Sequence, residues 1–144
     1  MGESIAPEVM RHLGKLAISS LATIKEDAPT LRTVTIINQN GRFWFATHAS
    51  SRKASQIKEN PKVSFLQPLQ EGENQGYVRV DGEAVSVSDV GVKKEIGDCA
   101  GFIEKYWSGV EDPNYALYEI KPESVVYLKP GEMEEQPVDW PVAE

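Results

Sequence analysis

The chain has a single cysteine, Cys99, and only two histidines, His12 and His48. One thiol closes no internal disulfide, and three scattered donors without close His/Cys pairing do not make a zinc-type site. No apolar run reaches membrane-spanning length, and the opening MGESIAPEVM lacks the basic-then-apolar pattern of a signal peptide. The expectation is a cytoplasmic chain with no membrane association. The glycine-rich dinucleotide and P-loop fingerprints are absent. A nucleophile–base pair would need His48 with Ser51 or Cys99, and no Gly-x-Ser-x-Gly elbow presents one. Net charge is −7, which argues against nucleic acid and anionic lipid as partners. Arginine is missing from the whole second part: Arg11, Arg32, Arg42, Arg52 and Arg79 are all of them. Guanidinium groups suited to a phosphate are therefore confined to the first part of the chain.

At 144 residues, with 40% hydrophobic and 26% charged side chains, the chain is sized and composed as one globular domain. Its most informative stretch is Arg42 to Phe65. Phe43-Trp44-Phe45 is strand-prone, and Ser50 or Ser51 is a good N-cap for a short helix beginning near Arg52. Asn60-Pro61 stops that helix, and Val63 and Phe65 alternate as a strand does. The helix start gathers unpaired N–H groups, the hydroxyls of Thr47, Ser50 and Ser51, and two cations, Arg52 and Lys53. A helix N-terminus favours acids, so two cations there cost roughly a few tenths of a kcal/mol each unless an anion neutralises them. The pattern points to a phosphate-type ligand.

Before this stretch, Ile5, Val9, Leu13 and Leu16 recur at helical spacing, with Ser4 as cap and an end near Gly14-Lys15. Leu16–Ile24 and Leu31–Asn38 read as strands joined by Lys25–Pro29, and Asn40-Gly41 is a strong hairpin turn. After it, strand four ends at Pro68. Tyr77–Val87 is a long strand with a bulge at Asp81-Gly82. Asp89 caps a helical region to about Trp107 that Gly91, Gly97 and Gly101 should kink or divide. Tyr115–Ile120 and Ser124–Leu128 are final strands around Lys121-Pro122. Six or seven strands with few helices fit a small barrel spanning residues 1–129. Residues 130–144 read as an acidic, proline-containing, loosely ordered tail. Trp107 and Trp140 are expected to pack into the core or bury the tail, with covering a ligand face as the alternative.

Four segments in order carry a resemblance: Arg32–Ile36, Phe45–Lys53, Asn60–Val63 and Val78–Gly82. Together they resemble the pyridoxamine 5′-phosphate oxidase-like family, in particular its short general stress protein branch of FMN-binding split barrels. The resemblance covers most of the chain. It implies a mainly β protein, a six-stranded antiparallel split barrel with flanking helices, and a homodimer with FMN at the subunit interface. It further implies that Arg32, Thr33, Val34, Thr35 and Ile36 lie along the flavin ring and phosphate, largely through backbone groups. Thr47, Ser51, Arg52 and Lys53, beside Ala46, would hold the phosphate or ribityl chain. Tyr77 falls where the oxidases carry a glutamine that reaches the flavin. Related branches use a deazaflavin or haem instead.

Two departures bear on activity. The oxidases place a substrate-binding lysine five residues after the strand arginine, where this chain has Ile37. Their C-terminal Arg-x-His motif has no counterpart after Arg79. The resemblance therefore implies an oxidoreductase of unidentified small-molecule substrate, without pyridoxamine phosphate oxidase activity. A non-enzymatic flavin-binding, storage or stress-response module is the alternative.

Overall fold

Asn40 and Gly41 both adopt positive φ, 55° and 80°, the backbone that joins two twisted strands through two residues. They connect β2 (Ala28–Gln39) to β3 (Arg42–His48). The computed structural model describes residues 5–140. The remaining elements are α1 (Ala6–His12), β1 (Leu16–Lys25), α2 (Arg52–Glu59), β4 (Lys62–Glu71), β5 (Asn74–Val87), α3 (Val90–Ala100), α4 (Ile103–Tyr106), β6 (Tyr115–Leu128) and β7 (Gln136–Val138). Helix α1 is shorter than its apolar spacing suggests, and its proposed cap, Ser4, lies outside the described residues. The break between α3 and α4 falls at Gly101, which takes φ 77° as a left-handed cap.

The strands run in the order β3-β2-β1-β4-β5-β6-β7, all antiparallel, and β3 also pairs with β6. That last pairing closes the first six strands into a ring. The ring is uneven. Strand β2 meets β3 only at Ile37–Gln39, and β1 meets β4 only at Ser20–Ala22. Beyond Ile37, β3 leaves β2 and continues on β6, so residues 28–36 of β2 pair with β1 alone. The barrel is split there.

Leu21, Phe43, Phe45, Phe65, Val78, Val80 and Ile120 fill the ring, each almost fully buried. A second cluster lies outside it, where α3 and α4 cover Ile37, Trp44, Trp107, Tyr115 and Leu117. Strand β3 is thus covered on both faces, which explains its consecutive aromatics.

Four expectations are corrected. The Lys25–Pro29 connection is a two-residue turn at Glu26-Asp27, with Ala28 and Pro29 already in β2. Strand β4 continues past Pro68, because that part of β4 pairs on one side only and the missing N–H costs no ladder bond. The two final strands are one, β6, which absorbs Pro122 opposite the predicted irregularity at Asp81/Gly82. The tail is not loose up to Trp140. Residues 136–138 pair with Val125–Tyr127, the Trp140 ring stacks on Phe43 at 5.5 Å, and its Nε1–H donates to Gly41 O at 2.9 Å.

Candidate functional site

Helix α2 begins as its sequence requires. Ser51 is the N-cap, its Oγ accepting the Ala54 N–H at 3.2 Å and the Thr47 hydroxyl at 3.2 Å. The first turn carries no acid, and Arg52 and Lys53 occupy it. Arg52 is exposed; Lys53 is half-buried.

The tertiary structure adds Arg32 to this end. Arg32 lies on β2 opposite Leu21 of β1, and its guanidinium turns into a nest of neutral oxygens. One terminal nitrogen donates to Leu21 O at 3.2 Å and Thr23 Oγ1 at 2.8 Å. The other donates to Thr30 Oγ1 at 2.8 Å and Gln56 Oε1 at 3.2 Å. Thr30 also donates to Gln56 Oε1 at 2.8 Å, so one side chain of α2 fixes the β1–β2 hydroxyls and the arginine together.

Charge in this nest is of one sign. Burial holds the Lys53 ammonium below the usual lysine range, and the nearby Arg32 charge adds to the effect. Burial lowers Arg32 likewise. Among the described residues, Lys25, Arg32, Arg52 and Lys53 form no ion pair. These four line a cavity of about 330 Å³ with Thr30 and Gln56. Another cavity, of about 480 Å³, lies near Arg42, Lys121 and Trp140, but there Glu119 neutralises both cations. A site that concentrates positive charge without an acid is one suited to an anion.

The open part of β2 borders the same site. Residues 30–36 present backbone N–H and C=O groups on an edge that no strand pairs among the described residues. Ile36 points into the ring and Val34 packs against that core, while Thr33 and Thr35 lie on the opposite face. Ile37, at the position of the oxidases' substrate lysine, is buried under the outer helices. Ala46 packs in that outer layer too.

Tyr77 is not brought to this cavity within one chain. Its hydroxyl donates to Glu135 of the tail segment, which also accepts from Arg79 at 3.0 Å. The His48 imidazole forms no nucleophile–base pair with the Ser51 hydroxyl or Cys99; its Nδ1 is occupied by Trp107 and Asn114. Residues missed by the sequence reading are Lys25, Thr30 and Gln56. Gln56 had a signal, since it stands three residues after Lys53 and so on the same helix face.

Comparison with known proteins places this geometry in a family. The family model described as Pyridoxamine 5′-phosphate oxidase matches residues 5–129, and the chain belongs to that family. It is 29% identical over 131 residues to General stress protein 26 of Bacillus subtilis (strain 168), covering 90% of this chain and 92% of that protein. It is 43% identical over 72 residues to the pyridoxine/pyridoxamine 5′-phosphate oxidase of Aliarcobacter butzleri (strain RM4018), a match spanning 48% of this chain and 32% of the oxidase. The crystal structure of General Stress Protein 26 from Bacillus anthracis str. Sterne superposes with a TM-score of 0.75 at 22% identity, over 93% of this chain and 98% of that one. The fold is thus the split barrel of these structures. A heme binding protein from Mycobacterium smegmatis shares it, with a TM-score of 0.74 at 15% identity, over 95% of this chain and 59% of that one. Among the described residues no helix is long and apolar enough to cross a membrane.

Proposed function

We propose that this chain is an FMN-binding flavoprotein, a cytoplasmic homodimer that works as an oxidoreductase on a small-molecule substrate. The observation that carries the reading is the Arg32–Lys53 pair, two half-buried cations with no carboxylate partner among the described residues, at an open helix N-terminus. A phosphate monoester supplies the missing negative charge, and the first-turn N–H groups of α2 supply donors.

The split of the barrel supports a flavin rather than a bare phosphate. From the phosphate end, the unpaired β2 edge at Thr33–Ile36 offers backbone donors and acceptors to a flat polar ring. Bound FMN brings the electron-transfer chemistry; the chain's own residues bind and orient it. Lys53 and Arg52 hold the phosphate, Arg32 adds charge from behind, and Thr47 fixes Ser51. Within one subunit the cavity is open, so a second copy is needed to shut out water. The outer face of β1 and β2 leaves Ile18 72% and Leu31 71% exposed, which suits an interface with that copy. Buried Ile37 leaves no lysine for a substrate phosphate, so pyridoxamine 5′-phosphate is not the proposed substrate.

Titration of the purified protein with FMN, followed by flavin absorbance and sedimentation, tests the reading. Tight uptake by a dimer is expected. No uptake overturns the cofactor assignment, and tight binding by a stable monomer overturns the dimer. Reduction of the bound flavin by NADH or NADPH, and reoxidation by a defined acceptor, separate an oxidoreductase from a storage module.

A further inference from the structure

The turn between β3 and α2 leads directly into the helix start that carries Arg52 and Lys53, and a side chain outside the cavity holds it. Asn114 lies in the loop before β6. Its backbone O accepts the Ala49 N–H at 2.9 Å. Its Oδ1 accepts the Ser50 N–H at 3.3 Å and the Ser50 hydroxyl at 3.5 Å. Its Nδ2 meets His48 Nδ1 at 2.8 Å. Trp107 Nε1–H, which only donates, reaches the same His48 nitrogen at 3.0 Å, so Nδ1 is the acceptor and the ring proton sits on Nε2.

Asn114 thus grips three consecutive residues, 48 to 50. Ser51 follows directly, its N–H on His48 O at 3.0 Å and its hydroxyl capping α2. Asn114 is itself anchored. Its N–H donates to Asp112 Oδ1 at 2.9 Å, and Asp112 Oδ2 accepts the Ser108 N–H at 2.9 Å. The gripped residues His48, Ala49 and Ser50 are all exposed, so packing alone does not fix them. Recognition of a phosphate by a helix start needs its donors held to roughly 0.5 Å.

We propose that Asn114 is the positioning residue of the anion site. It fixes the 48–50 turn, and through the shared His48 Nδ1 it ties that turn to Trp107 and the helical layer outside the barrel. The identity of the anion as FMN rests on the function proposed above; the positioning role does not.

The full-length chain tests this in two independent ways. In the apo protein, NMR-detected amide exchange should show the Ser50 N–H exchanging faster in Asn114→Ala than in wild type. Asn114→Asp keeps the Oδ1 acceptor and should restore that protection. In the flavin titration, Asn114→Ala should lower FMN affinity about tenfold, as for loss of one organising hydrogen-bond partner, while riboflavin affinity stays within about twofold. Trp107→Phe keeps a ring and removes one donor to His48, so a smaller FMN-specific loss is expected, about threefold. Unchanged Ser50 exchange in Asn114→Ala, or equal weakening of FMN and riboflavin, overturns the proposal. If wild type takes up no flavin, the FMN reading falls alone. The positioning role is then decided by the exchange data and by whether inorganic phosphate shifts the Ser51 and Arg52 amides in wild type but not in Asn114→Ala.

Discussion

The guanidinium of Arg32 donates to Gln56 Oε1 at 3.2 Å, an amide oxygen where an ordinary buried arginine would have a carboxylate. That choice keeps the nest cationic. Gln56→Glu is nearly isosteric and places an acid between Arg32 and the incoming phosphate. FMN affinity should fall by at least about tenfold from the like-charge repulsion. The apo protein should melt at a higher temperature, since the new carboxylate relieves two unpaired cations. An unchanged FMN affinity in this variant would contradict the anion site.

Lys53→Ala should weaken FMN binding by roughly 1.5–3 kcal/mol, the range for a hydrogen bond to a charged group. Arg52→Ala should act at least as strongly if its guanidinium grips the phosphate with two bonds. Lys58, exposed at the far end of α2, is the control, and Lys58→Ala should be near neutral. Riboflavin lacks the phosphate, so its weaker binding should hardly respond to any of the three. Calorimetric titration with both ligands checks all four expectations.

The lowered range of Lys53 makes a stability prediction with a definite sign. Unfolding restores the lysine to its ordinary value near 10.4, so the unfolded chain binds more protons between the lowered value and that one. Apo stability should therefore rise with pH across this alkaline interval, relative to a Lys53→Met variant that has nothing to titrate. FMN favours the ammonium, so FMN affinity should fall across the same interval in wild type. Melting curves and titrations between neutral pH and about pH 10.4 test both directions.

Gly82 faces the β6 backbone so closely that an added Cβ would lie 2.1 Å from Lys121 O. Backbone cannot step aside as a flexible side chain does. Gly82→Ala should cost about 3 kcal/mol or more, or prevent folding, because the β5–β6 ladder must open at its bulge. Gly72, with nothing near its Cβ position but φ +62, should show only the smaller cost of a strained turn when replaced by alanine. Denaturant unfolding of the two variants separates these cases.

Trp140 anchors the tail by its ring on Phe43 and its N–H on Gly41 O. Trp140→Ala should lower stability by about 2 kcal/mol, from one aromatic pair and one hydrogen bond. FMN affinity should be little changed, because Trp140 lines the other cavity and not the cationic one. A large loss of flavin with unchanged stability would place this tryptophan at a flavin face instead.

Much of this molecule is local and was legible as such. The Asn40-Gly41 turn, the Ser51 cap, the Asn60-Pro61 stop and the Asp81-Gly82 irregularity each depend on a few neighbouring residues. The alternation of β1 and β5, and the acid-free first turn of α2, are equally written in consecutive positions. So were Arg52 and Lys53 as a cationic helix start.

Tertiary structure alone decided what stands opposite what. Strand β6 continues through Pro122 because a bulge absorbs the lost N–H, and the tail becomes strand because β6 has a free edge beside Val125–Tyr127. The β3–β6 pairing joins segments about seventy residues apart and leaves β2 paired on the β1 side only over residues 28–36. That closure turns Arg32 toward Lys53 and Gln56, and it sends Tyr77 to Glu135 instead of into the cavity. No periodicity encodes such meetings, since they follow from the register and closure of distant strands, which only the packed barrel sets.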